Sequence, residues 1–577
     1  MKYTAERNIQ ILIYLLKEHG IKKVIASPGA LNISLVASIS QDPFFEIYSS
    51  VDERSAAYIA CGLAAESGEP VVLSCTGATA SRNYLPGLTE AFYRKLPVLA
   101  VTATPPLGWI GHNIPQVIDR TASLRDTVKL SVEIPEVYDE ESEWTCSTRI
   151  NKAILELKRN GGGPVHINLV TTYNNNFDVN EIKPVNVISR ILDKDNFPSL
   201  ENKKVCIFVG AHKKWSQELT EIVDGFCERY NAAVLCDHTS NYCGKYKIMA
   251  SLVTSQELYV APCTRMDVLV HIGDISGAYL RLFPKEVWRV NPDGEIRDTF
   301  RTLRFVFDME EEIFFKKYIE LSDKNKADNT YYNEWISEYN FLKDKISDLP
   351  FSNIWIAQQT VDYLPVNSVI HFGILNSLRS WNFFEKNNSI LGYANTGGFG
   401  IDGCVSSLIG ASLADPNKLY FGVVGDLAFF YDMNSLGNRH VGKNIRLMVI
   451  NNGRGVEFRN YGHRAYQFGD HADKYIAAAG HYGNQSQKLI KDYSENLGFE
   501  YLSAKNKDEF MKVIEKFTTH QITEKPILLE VFTNYNDESE ALKIMYNLRK
   551  SSSGVTKKII RNVISDKGIQ ILKKIIK

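Results

Sequence analysis

The pattern that is most informative about the fold lies at residues 419–457, LYFGVVGDLAFFYDMNSLGNRHVGKNIRLMVINNGRGVE. Its first apolar run, 419–424, is too short for a helix and is rich in β-branched and aromatic residues, which predicts a buried strand. The spacing of apolar residues over 427–436 predicts a helix, and the run 447–450 predicts a second buried strand. The stretch therefore predicts a strand–helix–strand unit of a parallel sheet.

Polar residues follow both predicted strands. Gly425-Asp426 comes after the first strand, and Asn451-Asn452 with the turn Gly453-Arg454-Gly455 comes after the second. Because strand ends line the ligand crevice of a parallel sheet, Asp426 and Asn452 are expected to meet there. Such oxygen ligands suit Mg²⁺ held with phosphates, and a helix N-terminus favours the phosphates themselves. We predict a Mg-diphosphate site; the alternative is an ordinary unit in which Asp caps the helix and the Asn pair forms a turn.

Composition narrows the class of protein. The 577 residues allow three or four domains, and the formal net charge of −1 gives no indication of nucleic-acid binding. The nine cysteines are scattered without zinc-site spacing, as expected for reduced cytosolic thiols. We find no signal-peptide pattern and no apolar stretch of about 18–20 residues that would span a membrane. We therefore expect a cytoplasmic protein.

Strand and helix patterns alternate along most of the chain. This alternation predicts an α/β protein with three consecutive parallel-sheet domains. The predicted strands lie at 23–26, 71–75, 98–102, 165–169, 205–209, 233–236, 268–272, 287–290 and 368–372, besides the two above. The predicted domains are 1–180, 195–340 and 345–545.

The C-terminal segment 549–577 differs from the rest of the chain. It carries nine Lys or Arg residues against one acidic residue, interleaved with pairs of apolar residues. A basic amphipathic helix of this kind can lie on an anionic membrane surface, which would make the protein peripheral at the inner membrane. The alternative, a tail packed on its own protein or frayed, stays open.

Longer motifs resemble a known group of enzymes. DERSAAYIACGLAAESGEPVVLSCTGATASRNYLPGLTEA (52–91), with SPG at 27–29 and GPVHINL at 163–169, resembles the pyrimidine-binding domain of thiamine diphosphate-dependent decarboxylases and carboligases. NTGGFGIDG (395–403) and INNGRG (450–455) resemble the diphosphate-binding domain. Within this superfamily the chain is most similar to the menaquinone-pathway carboligase family, the 2-succinyl-5-enolpyruvyl-6-hydroxy-3-cyclohexene-1-carboxylate synthases. The resemblance implies a pyrimidine-binding, a central and a diphosphate-binding domain over about residues 1–545.

The resemblance implies a role for each matching residue. Glu53 would hydrogen-bond the pyrimidine ring and drive deprotonation of the cofactor, and Ile401 would bend it. Contacts to the cofactor are implied for Glu53, Thr76, Gly77, Gly398, Ile401, Gly425, Asp426, Leu427 and Asn452. The Mg²⁺ ligands would be Asp426, Asn452 and the backbone carbonyl of Arg454. In this family the two cofactor halves bind different subunits, which implies a homodimer or homotetramer with active sites between subunits.

The implied reaction is decarboxylation of a 2-oxo acid, followed by transfer of the acyl-anion equivalent to a carbonyl or alkene acceptor, or by its protonation. The menaquinone carboligase holds its polycarboxylate substrates with arginines, but Leu31, Thr396 and Trp381 occupy three of those positions. The arginine of its ADRPP motif is also absent from Ala103-Thr104-Pro105-Pro106. We therefore expect a different substrate, such as a less anionic donor like pyruvate or a neutral polar acceptor. Candidate substrate residues, each equally open to a structural role, are Asn32, His112, Gln116, Asn376, Ser377 and Arg379.

Three alternatives remain open at this point. The first is the menaquinone carboligase itself, acting on isochorismate and 2-oxoglutarate. The second is an NAD-dependent dehydrogenase, because Gly398–Gly403 fits a G-x-G-x-x-G fingerprint, although this explains neither Glu53 nor Asn451-Asn452. The third is a non-catalytic protein that binds thiamine diphosphate.

Overall fold

The computed structural model describes residues 2–120, 122–322, 328–481, 485–552 and 554. These residues form two compact units. Unit 1 comprises Met1–Asn196 with Asp293–Asp308, and unit 2 comprises Phe197–Pro292 with Met309–Lys577. Within the described part of the chain, no helix combines the length and the apolar character needed to cross a membrane.

Unit 1 contains a six-stranded parallel sheet in the order β2-β1-β3-β4-β6-β5. Its strands are β1 Lys23–Ala26, β2 Glu46–Ser49, β3 Val71–Cys75, β4 Val98–Thr104, β5 Leu130–Ile134 and β6 Val165–Val170. Its helices are α1 Arg7–Glu18, α2 Ile33–Ser40, α3 Glu53–Ser67, α4 Thr79–Asn83, α5 Leu85–Tyr93 and α6 Glu140–Glu156. The inner strands are buried along their whole length because helices cover both faces of the sheet.

Small residues let α3 and α5 approach each other closely. The buried face of α3 consists of alanines and Cys61. Gly87 of α5 packs against it so tightly that an added Cβ would lie 2.9 Å from the carbonyl carbon of Ala57. This contact fixes α3, whose first residue is Glu53, against the sheet.

Residues 189–307 contain seven strands and two α-helices. They are β7 Ser189–Ile191, β8 Val205–Val209, β9 Ala233–Cys236, β10 Lys247–Met249, β11 Arg265–Ile272, β12 Phe283–Val290 and β13 Leu303–Phe307, with α7 Gln217–Tyr230 and α8 Ser251–Thr254. Strands β7 and β13 pair in parallel within unit 1. Strands β8 to β12 belong to unit 2, in the order β10-β9-β8-β11-β12.

The remainder of unit 2 carries a six-stranded parallel sheet in the order β15-β14-β16-β17-β19-β18. Its strands are β14 Val369–Phe372, β15 Leu391–Ala394, β16 Tyr420–Gly425, β17 Ile445–Asn451, β18 Glu500–Ala504 and β19 Ile527–Phe532. The helices of this region are α9 Glu311–Leu321, α10 Thr330–Lys343, α11 Asn353–Thr360, α12 Asn376–Trp381, α13 Cys404–Ser412, α14 Asp426–Asp432, α15 His471–Tyr475, α16 Leu489–Asn496, α17 Lys507–Phe517 and α18 Tyr535–Tyr546.

The predicted fold class, three parallel-sheet α/β domains, is confirmed by these three sheets. The domain boundaries stay a prediction. The helix after β16 is shorter than the predicted 427–436, since α14 ends at Asp432 and a 3₁₀ turn, Met433–Gly437, follows. Of the predicted basic tail, residues 553 and 555–577 lie outside the described residues. Its first residue, Arg549, pairs with Glu338 of unit 2 at 2.7 Å.

Candidate functional site

Asp426 and Asn452 follow two neighbouring strands of the third sheet. β16 and β17 pair in parallel, with Gly425 opposite Ile450, so the residues after each strand lie at the same edge. Asp426 is 1 % exposed. Among the described residues, Oδ2 of Asp426 and Oδ1 of Asn452 are both buried without a hydrogen-bond partner. The sheet therefore presents two unpaired oxygen ligands at one edge.

The surroundings of Asp426 disfavour a lone negative charge. Burial raises the pKa of Asp426 to about 7, although backbone N–H groups, including that of Gly453, lower it and the carboxyl of Glu530 raises it slightly. No described cluster of three or more His, Cys, Asp or Glu side chains could hold a metal ion. A cation at this edge would instead have one carboxylate, one carboxamide and backbone carbonyls as ligands, together with groups of a bound phosphate. That donor set fits Mg²⁺.

Hydrogen bonds orient the loop after β17. Asn451 donates to Oε1 of Glu530 at 2.7 Å, and Gly453, at φ +77°, donates its N–H to Oδ1 of Asn451 at 3.2 Å. The Arg454 guanidinium pairs with Asp473 at 2.6 Å and stacks on the Tyr535 ring. These contacts engage the Arg454 side chain, and a metal-binding role of its backbone carbonyl stays a prediction.

Two of the glycine positions predicted to contact the cofactor, Gly398 and Gly425, border open space. A Cβ added to either of them would meet no atom within 4 Å. Packing in unit 2 therefore does not require glycine there, and the lack of a side chain leaves room for a ligand. Ile401 packs partly against the core around β16, and Leu427 lies beside Gly455, where an added Cβ would be 3.3 Å from its side chain.

In unit 1, the other predicted cofactor residues also gather at the carboxyl edge of a sheet. Glu53 begins α3 after β2, and Asp52 caps this helix by accepting the N–H groups of Arg54 and Ser55. Thr76 and Gly77 follow β3, and an added Cβ on Gly77 would lie 3.2 Å from the Ala103 carbonyl at the end of β4. The parallel strand order brings these loops to one edge.

Two non-glycine residues at the strand ends have positive φ angles. Ala78 follows Gly77 with φ 53° and ψ −131°, and Leu375 precedes α12 with φ 63° and ψ −116°. Such backbone conformations cost about 1–3 kcal/mol and cluster at functional sites. Both positions adjoin predicted site residues, which supports a ligand-binding role for these edges.

Three of the predicted substrate residues lie in unit 1 and three lie in unit 2. Asn32 is 3 % exposed and donates to the Ser27 carbonyl at 3.0 Å, so it fastens the loop after β1. His112 and Gln116 are exposed, and Gln116 has φ 64°. Asn376, Ser377 and Arg379 lie on α12 after β14; Ser377 is buried and Arg379 is partly exposed.

An ion pair that the sequence did not predict involves Arg379. Its two Nη atoms donate to Oε1 and Oε2 of Glu457 at 2.9 and 2.6 Å. Burial opposes the charge on Glu457, yet the nearby guanidinium holds the pKa of this carboxyl below its ordinary value. In the sequence, Glu457 is visible only as a charged residue two positions after INNGRG. Its role becomes evident only when Arg379 is known to be its partner.

The positions that lack the family arginines are filled by packed side chains. Leu31 is 2 % exposed, Thr104 2 %, Thr396 5 % and Trp381 1 %. All four side chains are buried and none of them is charged, so none of them can form an ion pair with a substrate carboxylate.

Comparisons with known proteins agree with this geometry. A family model described as "Thiamine pyrophosphate enzyme, N-terminal TPP binding domain" matches residues 8–123. Three proteins named 2-succinyl-5-enolpyruvyl-6-hydroxy-3-cyclohexene-1-carboxylate synthase are each 30% identical to this chain. The Bacteroides fragilis protein aligns with 95% of this chain and 100% of its own length, the Bacteroides thetaiotaomicron protein likewise with 95% and 100%, and the Phocaeicola vulgatus protein with 96% and 100%.

A solved structure, the Rhodococcus jostii RHA1 thiamine diphosphate-dependent 4-hydroxybenzoylformate decarboxylase, covers 92% of this chain and 99% of its own, at 14% identity and a TM-score of 0.41. That similarity is too low to carry an argument. The full-length sequence relatives decide the family, and they favour a thiamine diphosphate enzyme over the dehydrogenase and non-catalytic alternatives. Since a 30% identical relative is covered over its whole length, the chain belongs to the thiamine pyrophosphate-dependent enzymes, in the family of the 2-succinyl-5-enolpyruvyl-6-hydroxy-3-cyclohexene-1-carboxylate synthases.

Proposed function

We propose that this enzyme uses thiamine diphosphate and Mg²⁺ to decarboxylate a 2-oxo acid, and that it passes the acyl-anion equivalent to an acceptor or protonates it. The observation that carries the proposal is the pair of unpartnered, buried oxygens on Asp426 and Asn452 at the ends of β16 and β17. A buried carboxylate with one unpartnered oxygen is costly unless a cation neutralises it. The diphosphate–metal half of such a cofactor supplies that cation.

Each residue has a defined task in this proposal. Asp426, Asn452 and the Arg454 carbonyl hold the metal, while the open space beside Gly398 and Gly425 admits the cofactor. Thiamine diphosphate supplies an electron sink for decarboxylation when it is bound. Glu53 holds a proton at the pyrimidine ring nitrogen and so promotes deprotonation of the cofactor. Ile401, from its partly buried position, would supply an apolar contact to the bound cofactor. Thr76, Gly77 and Leu427 complete its contacts.

The proposal requires at least two copies of the chain, with Glu53 of one copy and Asp426 of another at the same site. Subunit mixing tests this arrangement. In a symmetric dimer, equal amounts of Glu53→Gln and Asp426→Asn subunits, exchanged at random, should restore roughly one quarter of wild-type activity, because half of the mixed dimers' sites are intact. If each site is built from one chain, mixing two inactive variants restores no activity.

Release of CO₂ tests the reaction itself. Purified protein with thiamine diphosphate and Mg²⁺ should release CO₂ from at least one member of a panel of 2-oxo acids. Matched reactions that lack the cofactor, or that contain EDTA, should release none. If the complete reaction releases no CO₂ from any 2-oxo acid, with or without aldehyde acceptors, the proposed activity is wrong.

A second candidate is the reaction of the named relatives, which uses isochorismate and 2-oxoglutarate. Identity of 30% over 95% of the chain favours it. The buried Leu31, Thr104, Thr396 and Trp381 argue against it, since loss of a charged hydrogen bond costs about 1.5–3 kcal/mol each. Robust product formation from isochorismate and 2-oxoglutarate would establish this candidate and remove the argument from the missing arginines.

A further inference from the structure

The Arg379–Glu457 ion pair spans the edge of the sheet at which Asp426 lies. In the strand order, β14 and β17 flank β16 on its two sides. Arg379 lies on α12, which follows β14, and Glu457 lies in the 3₁₀ turn Val456–Arg459, which follows β17. Asp426 directly follows β16. The pair therefore joins the two segments on either side of the proposed metal ligand, in the crevice where parallel sheets bind ligands.

Glu457 occupies both free arms of the guanidinium. Nη1 of Arg379 donates to Oε1 of Glu457 at 2.9 Å, and Nη2 donates to Oε2 at 2.6 Å. Nη2 also donates to Oδ1 of Asn376 at 3.0 Å, and Nε is buried. This fork-to-fork geometry is the one that arginine uses to bind a substrate carboxylate. An incoming carboxylate would therefore find the binding edge of Arg379 taken.

A second carboxyl group, that of Glu538, contacts Asn376 beside this pair. Glu538 is 2 % exposed and accepts hydrogen bonds from Thr533 Oγ1 at 2.8 Å and from the Asn353 N–H at 3.0 Å. Its Oε2 lies 3.5 Å from Nδ2 of Asn376. The cluster thus holds one guanidinium and two carboxyl groups, so its charge does not favour an anion. Carboxylate oxygens can accept a hydrogen bond from a hydroxyl group, and the N–H groups of the Asn376 amide can donate to a hydroxyl or carbonyl oxygen.

We propose that Glu457 determines substrate specificity, because its carboxylate takes the place on Arg379 that a substrate carboxylate would otherwise fill. The substrate group that meets this pair is uncharged and donates a hydrogen bond, as a hydroxyl group does. This inference rests on the proposed 2-oxo acid chemistry and names the class of substrate for that site.

Two pairs of substrates with equal carbon chains test the inference. The donors are 2-oxopentanoate and 2-oxoglutarate, and the acceptors are butanal and succinate semialdehyde; each pair differs in a distal carboxylate. The wild-type holoenzyme should favour the neutral member of at least one pair in kcat/KM. Glu457→Gln should shift that ratio at least tenfold toward the carboxylate, and Arg379→Met combined with Glu457→Gln should abolish the gain. If Glu457→Gln leaves both ratios unchanged, or the wild type already accepts the charged members equally, the inference is wrong.

Binding of glutarate gives a readout that needs no turnover. Isothermal titration should show at least tenfold tighter binding of this inert dicarboxylate to Glu457→Gln than to wild type. A shift in glutarate affinity without CO₂ release from any 2-oxo acid would overturn the proposed function and leave this inference intact. CO₂ release with unchanged ratios and unchanged glutarate affinity would overturn the inference alone.

Control variants separate specificity from folding. Glu295→Gln breaks the Arg159–Glu295 pair of unit 1, which has a similar exposure, and should leave both substrate ratios unchanged. If Glu457→Gln does not fold, Glu457→Asp keeps the charge but shortens its reach, and should shift the ratios in the same direction by a smaller factor. Aspartate is too short to keep the 2.6 Å contact between Glu457 and Arg379. An unchanged substrate ratio in a folded Glu457→Asp variant would therefore contradict the inference.

Discussion

Asp426→Asn should stabilise the cation-free protein above pH 7 and remove its stabilisation by Mg²⁺ with thiamine diphosphate. Burial raises the pKa of Asp426 from 3.8 to about 7. A carboxyl group with a raised folded-state pKa binds its proton more tightly in the folded state than in the unfolded state. The free energy of unfolding therefore falls as pH rises from about 4 to about 7. Asparagine keeps the shape of the side chain and removes this pH-dependent cost.

The size of the effect follows from burial. At about 1.4 kcal/mol per pH unit, the raised pKa corresponds to at most about 4.5 kcal/mol against the charged carboxylate at pH 8. The asparagine amide, left without a partner, costs about 1–2 kcal/mol at every pH. The variant should therefore be about 3 kcal/mol more stable than wild type at pH 8 and about equal to it at pH 5.

Thermal unfolding in EDTA at pH 5 and pH 8 measures this difference. About 3 kcal/mol corresponds to roughly 2–3 °C in Tm for a protein of this size. Thiamine diphosphate with Mg²⁺ at pH 8 should raise the Tm of wild type more than that of the variant, since ligands stabilise the state that binds them.

Asp432→Asn is the matched control. Its carboxylate is also buried, but it accepts hydrogen bonds from the Ser406 N–H at 2.6 Å and the Ser406 hydroxyl at 2.5 Å. This control should lose stability at both pH values. If Asp426→Asn lowers the Tm at pH 8 as much as the control does, the Asp426 carboxylate stabilises the fold without a cation, which contradicts the predicted cost of its burial.

Further substitutions test the other half of the site and the packing beneath it. Glu53→Gln should retain cofactor binding while C2–H exchange, followed by NMR, and CO₂ release fall by orders of magnitude; unchanged turnover would contradict the role of Glu53. Gly87→Ala should destabilise the fold by about 2–4 kcal/mol, because the added Cβ would overlap Ala57. Gly62→Ala, on an open face of α3, should instead stabilise the fold by about 0.5–1 kcal/mol. Denaturant unfolding measures both changes. Leu375→Gly should raise the free energy of unfolding by about 1 kcal/mol by relieving its positive φ angle, and a loss of stability would show that its side-chain packing outweighs that strain.

The sequence predicts inner strands better than edge strands. β1, β3, β8 and β9 match their predicted ranges to the residue, because strands covered on both faces are continuous apolar runs. The edge strand β2, EIYS, is partly exposed and mixes polar with apolar residues, so its local pattern is weak. The early end of α14 has a local cause that periodicity does not reveal: Ser435 Oγ bonds the Asp432 carbonyl at 2.6 Å at the start of the 3₁₀ turn.

The positions of Asp426 and Asn452 could be predicted from sequence because each strand end and the polar residue after it are adjacent in the chain. The parallel order of strands then places Asp426 and Asn452 at one edge without further information. The state of these groups was not predictable. That Oδ2 of Asp426 has no partner depends on everything packed around it, since burial and hydrogen bonding are set by residues distant in sequence.

The charge balance of the substrate side was likewise decided by the tertiary structure. From the sequence, Arg379 is a candidate for binding a carboxylate, and Glu457 attracts no notice. The fold brings these residues, 78 positions apart, into contact at 2.6 Å and makes the arginine part of a neutral pair. Short motifs were enough to indicate a thiamine diphosphate enzyme from the sequence, because each motif is encoded by residues that are adjacent in the chain. Which charged side chains are left without an opposite charge depends on the tertiary structure, because ion pairs form between segments that are distant in sequence.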